Sequence, residues 1–198
     1  FTEHWIGRRM NSICFKNVDS ILLISLSCIG DVILTTPVMK TLKDNFPGAR
    51  LTVVAGPTAL PVLKRHELID GIVVCENKGS HKGLAGSLRL TRELRSRRYD
   101  LVVDLRNTAI PYFLRCRYRI TAHRAHLENK DDDTRHAIDR HLDVLELAGI
   151  PVTTREMLVT VPHDVETKVE EFLRRRDIPS DGDLIAVYPG AGSPYKLY

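Results

Sequence analysis

The sequence predicts an α/β fold, a Rossmann-like parallel sheet with helices on both faces. Three observations predict it. Short apolar runs recur at Ile21–Leu26, Leu51–Ala55, Gly71–Cys75 and Leu101–Leu105. Each is followed by turn residues and then a stretch with helical spacing, so strands and helices alternate. The composition, 43% hydrophobic and 27% charged over 198 residues, is that of an ordinary globular protein.

The first run, Ile21–Leu26, is short, apolar and followed by a turn, as a buried strand should be. Asp31 to Phe46 is helical, with Val38, Met39, Leu42 and Phe46 on one stripe. Pro37 either kinks this helix or begins it, with Thr36 as its cap. Leu51–Ala55 is the second strand, ending at Gly56-Pro57, and a short helix over Ala59–Arg65 leads to the third strand at Gly71–Cys75. A polar loop, Glu76–Gly83, holds Lys78, His81 and Lys82. Leu84–Arg98 is amphipathic, with Leu84, Leu88 and Leu94 inward. Leu101–Leu105 is the fourth strand; a short helix near Ala109–Cys116 precedes a weaker strand at Tyr118–Ala122.

His123–Thr134 has little periodicity and reads as an exposed loop. Arg135–Ala148 is a helix stopped by Gly149 and Pro151. A strand is expected at Met157–Val161, a helix at Asp164–Arg176 with Asp164 as N-cap, and a last strand at Leu184–Tyr188. Phe1–Ser20 has neither clear periodicity nor the layout of a signal peptide and reads as a leader or upstream piece.

Several function classes are disfavoured by composition. The cysteines Cys14, Cys28, Cys75 and Cys116 form no CxxC pair, which argues against a disulfide framework or a zinc site and suits a reducing cytosol. His123 and His126 have HxxH spacing without a clear third ligand, and His136 and His141 are poorly spaced for one metal. No apolar run approaches the roughly 20 residues that span a bilayer. The net charge of +4 fits an anionic ligand or membrane surface but is too weak to argue for nucleic acid. A dinucleotide-dependent oxidoreductase would need GxGxxG, which is absent throughout.

In parallel sheets of this kind ligands bind beyond the carboxyl ends of the strands. The loop after the first strand, Ser27-Cys-Ile-Gly-Asp31, is therefore a candidate site. Gly30 permits a tight turn and close backbone approach. Asp31, in the first turn of a helix, can be a plain capping carboxylate or a general base held at the sheet edge. At the other end, Pro189-Gly-Ala-Gly-Ser193 and Lys196 follow the last strand. Backbone N–H groups at Gly190 and Gly192, the Ser193 hydroxyl and the Lys196 ammonium suit a phosphate; a flexible terminus is the alternative.

Ile24-Ser-Leu-Ser-Cys-Ile-Gly-Asp-Val-Ile-Leu-Thr-Thr-Pro-Val-Met-Lys-Thr-Leu-Lys43 closely resembles the amino-terminal signature of the bacterial ADP-heptose:lipopolysaccharide heptosyltransferases, glycosyltransferase family 9. Asn45–Val54, Ile69–Val74, Arg98–Leu105 and His136–Ile150 continue the resemblance in order. It implies the N-terminal domain of a two-domain GT-B enzyme. Residues 1–20 would be a leader or disordered extension, 21–160 the acceptor-side domain, and 161–198 a linker helix with the first strand and turn of a nucleotide-sugar domain cut short. It implies inverting, metal-independent transfer of heptose or a related sugar from an ADP-activated donor to a lipopolysaccharide core or similar acceptor, with no cofactor. Asp31 takes the position of the family's general base, and Lys196 that of its donor-phosphate lysine, with Leu197-Tyr198 where an aromatic, usually tryptophan, is expected. The implied acceptor is an anionic lipid-linked glycan, so Lys78, Lys82 and Arg106 are candidate acceptor-loop residues beside Ser27 and Gly30. The implied location is cytoplasmic, peripheral to the inner membrane, with no nucleic-acid partner. The competing reading is a non-catalytic glycan-binding fragment.

Overall fold

A computed structural model describes residues 15–26, 28–76, 79, 81, 83–122, 135–179 and 183–187. It divides into two units, Phe1–Thr160 and Val161–Tyr198.

The first unit is built on five parallel strands: β1 Ser20–Ile24, β2 Arg50–Ala55, β3 Gly71–Val74, β4 Leu101–Asp104 and β5 Tyr118–Thr121, in the order β3-β2-β1-β4-β5. Leu22 pairs with Thr52 on one side and Val102 on the other. Alternate residues feed two cores, as the strand period of two requires. Ile21, Leu23, Leu51, Val53, Leu101 and Val103 face one core. Leu22, Ile24, Val54 and Val102 face the other. The α/β reading with helices on both faces therefore holds.

On the first face lie α1 (Ile29–Ile33), α2 (Thr36–Asn45), α3 (Leu60–Leu63, entered through a 3-10 turn at Pro57–Ala59) and α6 (Ala137–Glu146). On the second lie α4 (Gly83–Arg95) and α5 (Ile110–Phe113). The helix expected over Asp31–Phe46 is two helices, broken at Leu34-Thr35, with Pro37 in the first turn of α2 and Thr35 as the N-cap in place of Thr36. Proline lacks an N–H, so it is tolerated where no intrahelical bond is needed. Val38, Met39 and Leu42 are fully buried, and Phe46 packs against the same core.

Three further expectations are corrected. Leu88 does not point inward: it is 71% exposed, while Leu90, Thr91 and Leu94 are buried. Gly86, Leu90 and Leu94 repeat every four residues along one stripe, and Leu88, two residues from Leu90, falls on the opposite side. The Leu84 side chain lies outside the described residues. Met157–Val161 forms no strand. Its backbone is used in another way: the Leu158 N–H donates to Thr36 Oγ1 at 2.9 Å, and the Leu158 carbonyl lies 3.2 Å from His66 Nε2. Residues 15–19 are not wholly leader either. Val18 is buried, and Phe15 stacks edge-on against Phe46 and Tyr118 with centroids 5.9 and 4.9 Å apart.

In the second unit α7 spans His163–Arg174, with Pro162 rather than Asp164 at the N-cap. Asp164 sits instead in the first turn, where it complements the helix dipole. Val165, Val169 and Phe172 lie exposed along this helix. The strand expected at Leu184–Tyr188 is not formed over the described residues 183–187. A strand needs a paired neighbour to satisfy its backbone, and none is described for this segment.

Candidate functional site

The progression of strand order across the sheet reverses between the parallel neighbours β1 and β4. In open parallel sheets the crevice for ligands lies at that reversal, beyond the carboxyl ends of the two strands. Two loops converge there, Ser25–Cys28 and Leu105–Ala109. Each contains a non-glycine residue with positive φ, Leu26 at 42° and Asn107 at 52°. For a leucine this is a strained conformation, of the kind that clusters at functional sites.

Asp31 stands in α1 directly after the first loop. The N-cap is Cys28, which makes no side-chain capping bond. The Asp31 carboxylate is 49% exposed, and its ion-pair partner among the described residues is Arg106, at 3.9 Å. That separation is too long for a hydrogen bond and both groups face water, so the contact is a weak pairing rather than a lock. The carboxylate is thus neither buried nor spent on capping. It can accept a proton, and the guanidinium beside it can hold an anionic or hydroxyl-rich ligand.

Arg106 is held by its backbone. Asp104, fully buried at the end of β4, accepts hydrogen bonds from the N–H groups of Arg106 at 2.8 Å and Thr108 at 2.6 Å, and from the Thr108 hydroxyl at 2.9 Å. Burial pushes the Asp104 carboxyl up, while these donors and the nearby Arg106 charge pull it down. The carboxylate therefore folds the loop back on itself and aims Arg106 across the crevice. Sequence reasoning passed over Asp104. Its signal was a carboxylate ending an otherwise apolar strand, next to the polar run Arg106-Asn107-Thr108.

The α1–α2 joint carrying Asp31 is fixed by side chains. The Thr35 hydroxyl donates to the Val32 carbonyl and the Thr36 hydroxyl to the Ile33 carbonyl, both at 2.7 Å. His141 of α6 approaches the Leu34 carbonyl from behind; Pro37, three residues on from Leu34, has no N–H to offer it. The His141 Nδ1 is buried without a hydrogen-bond partner. Burial lowers the His141 pKa, opposed by the Leu34 carbonyl and Asp31 and assisted by Arg140 and Arg106. His141 is therefore a second residue that sequence reasoning undervalued, because only the packing of α6 against α2 brings it near Asp31.

Gly30 departs from expectation. Its φ is not positive, and a Cβ added there would meet nothing within 4 Å. The tight turn falls at Leu26 instead, and Gly30 faces open space in which a ligand can approach the backbone. Of the other residues singled out from sequence, Ser27, Lys78, Lys82, Gly190, Gly192, Ser193 and Lys196 lie outside the described residues, as do His123 and His126. Among the described residues no group of three or more His, Cys, Asp or Glu is gathered to hold a metal.

No family model matches the chain. Lipopolysaccharide heptosyltransferase 3 of Escherichia coli (strain K12) is 33% identical over 188 residues, covering 85% of this chain and 53% of the relative. The chain thus spans about half the length of the curated relative it matches. Among solved structures, the glycosyl transferase family 9 protein from Veillonella parvula DSM 2008 superposes with a TM-score of 0.75 at 24% identity, over 89% of this chain and 55% of that one. E. coli ADP-heptose lps heptosyltransferase II superposes with a TM-score of 0.54 at 20% identity, over 82% and 52%. E. coli heptosyltransferase WaaC with ADP gives 0.54 at 16%, over 70% and 50%. These likenesses are in fold: one of the three structures bears the name of glycosyl transferase family 9 and two bear the name heptosyltransferase.

Proposed function

From its relation to the lipopolysaccharide heptosyltransferases of glycosyltransferase family 9, we infer that this chain carries the acceptor-side half of a glycosyltransferase. Residues 21–160 are the acceptor domain, and 161–198 the linker helix and the beginning of the donor domain. The whole protein moves heptose or a related sugar from an ADP-activated donor to a lipopolysaccharide core or similar anionic, lipid-linked glycan. It does so with inversion and without a metal, working peripherally at the cytoplasmic face of the inner membrane. No helix among the described residues is long and apolar enough to cross a membrane.

One observation carries this reading: the Asp31 carboxylate, half exposed and free of capping duty, faces Arg106 across the β1–β4 reversal. In the proposed chemistry an acceptor hydroxyl attacks the anomeric carbon as the bond to the ADP oxygen breaks. Asp31 takes the hydroxyl proton late in the step, when that oxygen has become acidic. Arg106, with Lys78 and Lys82, holds the acceptor's anionic groups; Ser27 and Gly30 line its approach. Gly190, Gly192, Ser193 and Lys196 stabilise the departing diphosphate, where charge develops. Much of the rate comes from holding both substrates in register.

Asp31→Asn in the full-length protein tests it, with transfer followed by release of ADP from ADP-heptose. The expected result is a loss of about 10³-fold in turnover, within the range for a general base, with the circular dichroism spectrum unchanged. A variant that keeps wild-type turnover removes Asp31 from the chemistry. A full-length wild type that binds the glycan acceptor without releasing ADP favours the non-catalytic reading.

A further inference from the structure

From Leu105 to Ala122 the sequence contains four arginines, Arg106, Arg115, Arg117 and Arg119, and no Asp or Glu. This stretch forms α5 and β5, the open edge of the sheet next to the Asp31–Arg106 crevice. Helix α5 buries Ile110 and Pro111, with Leu114 just beyond it, against the second core. Its other side presents Tyr112 and Phe113, 61% and 60% exposed. Two adjacent aromatic rings are thus left largely in water on a four-residue helix.

Three of the arginines follow these rings closely in the chain. Arg119 donates from Nε to the Pro111 carbonyl at 2.8 Å and stands 5.5 Å from the centre of the Tyr112 ring. Arg117 donates to the Lys16 carbonyl at 3.0 Å. These partners are neutral, and among the described residues no carboxylate lies within ion-pairing distance of Arg115, Arg117 or Arg119. The edge is thus both aromatic and cationic. Aromatic rings favour the headgroup region of a bilayer, and arginines favour anionic headgroups.

We propose that the α5–β5 edge, with Tyr112 and Phe113 inserted and Arg115, Arg117 and Arg119 on phosphate groups, docks this protein on an anionic phospholipid bilayer. The proposal deepens the peripheral-membrane part of the functional reading and does not depend on sugar transfer. Docking at this edge would set the Asp31–Arg106 crevice beside the bilayer surface, within reach of a headgroup-borne glycan.

The test is co-sedimentation of the whole protein with vesicles of phosphatidylglycerol and phosphatidylethanolamine, against vesicles of phosphatidylcholine alone. Binding to the anionic vesicles, weakened by salt, is expected. Arg115→Glu should lower the partition coefficient at least about fivefold, the effect of one cationic contact. Lys64→Glu, the same change in net charge at the exposed residue that ends α3, should leave it near wild type. Tyr112→Ser with Phe113→Ser should lower it to a similar extent while the circular dichroism spectrum stays folded. Asp31→Asn should bind vesicles like wild type, which separates failure of this proposal from failure of the transfer reading. Equal binding to both vesicle types, equal loss in Lys64→Glu, preferential capture of single-stranded RNA, or a dimer in solution that dissociates on Phe113→Ser would each overturn it.

Discussion

Asp31 is available for chemistry because it caps nothing. A carboxylate in the first turn of a helix is ordinarily explained by orphan N–H groups and the macrodipole. Here no capping bond forms, and the neighbour that counts is Arg106, brought from the far side of the reversal. The adjacent Gly30 gives a clean test of whether ligand comes this close. Because a Cβ would meet open space and φ is ordinary, Gly30→Ala should fold with unchanged or slightly raised stability. If the acceptor approaches the backbone at this point, the same methyl should raise KM about tenfold or more, measured by steady-state transfer in the full-length protein. An unchanged KM would place the acceptor elsewhere in the crevice.

The helices divide into those whose apolar positions the period revealed and those whose joints only side-chain hydrogen bonds explain. In α4 the stripe Gly86, Leu90 and Leu94 faces the second core, and Leu88 faces water. Leu94→Ala should therefore cost about 2–5 kcal/mol through lost burial and a residual cavity. Leu88→Ala should change stability by less than about 0.5 kcal/mol. Urea denaturation of the two variants compares them directly, and equal losses would show that α4 is rotated. At the α1–α2 joint the Thr36 hydroxyl satisfies the Ile33 carbonyl, whose partner four residues on, Pro37, has no N–H, and the Thr35 hydroxyl adds a bond to the Val32 carbonyl, which also accepts from the Thr35 N–H. That clamp was not legible from periodicity, because β-branched polar residues before a proline fit a kink and a fresh start equally well.

Across the molecule, the five-stranded parallel sheet carries the crevice at its edge, and His141, buried behind that edge, predicts a fold that weakens on acidification. His141 is buried enough that its pKa falls below the ordinary value. Its neutral form is the one the fold prefers, so its contribution is present above about pH 6.5 and is lost as pH falls through the lower folded value. Thermal unfolding followed between pH 7.5 and pH 5 should show the midpoint falling on acidification. His141→Asn should flatten that dependence; an unaltered slope in the variant would assign the sensitivity to other groups.

The five strands of the sheet, their order of appearance and the apolar stripe of α2 could be read from local pattern, because burial on two sides of a sheet writes itself into runs and periods of apolar residues; in α4 the pattern placed Leu94 correctly and Leu88 wrongly. Asp31 could be singled out for the same reason: it follows an apolar strand through a short polar turn. The resemblance to family 9 added the proton-accepting role, which remains a proposal. What chain order could not supply was convergence. Arg106 is far from Asp31 along the chain, Asp104 matters only because it is fully buried, and His141 reaches Leu34 only through the packing of α6 on α2. Those relations depend on which strands become neighbours, and strand order is settled by the packing of the whole sheet rather than by any one segment.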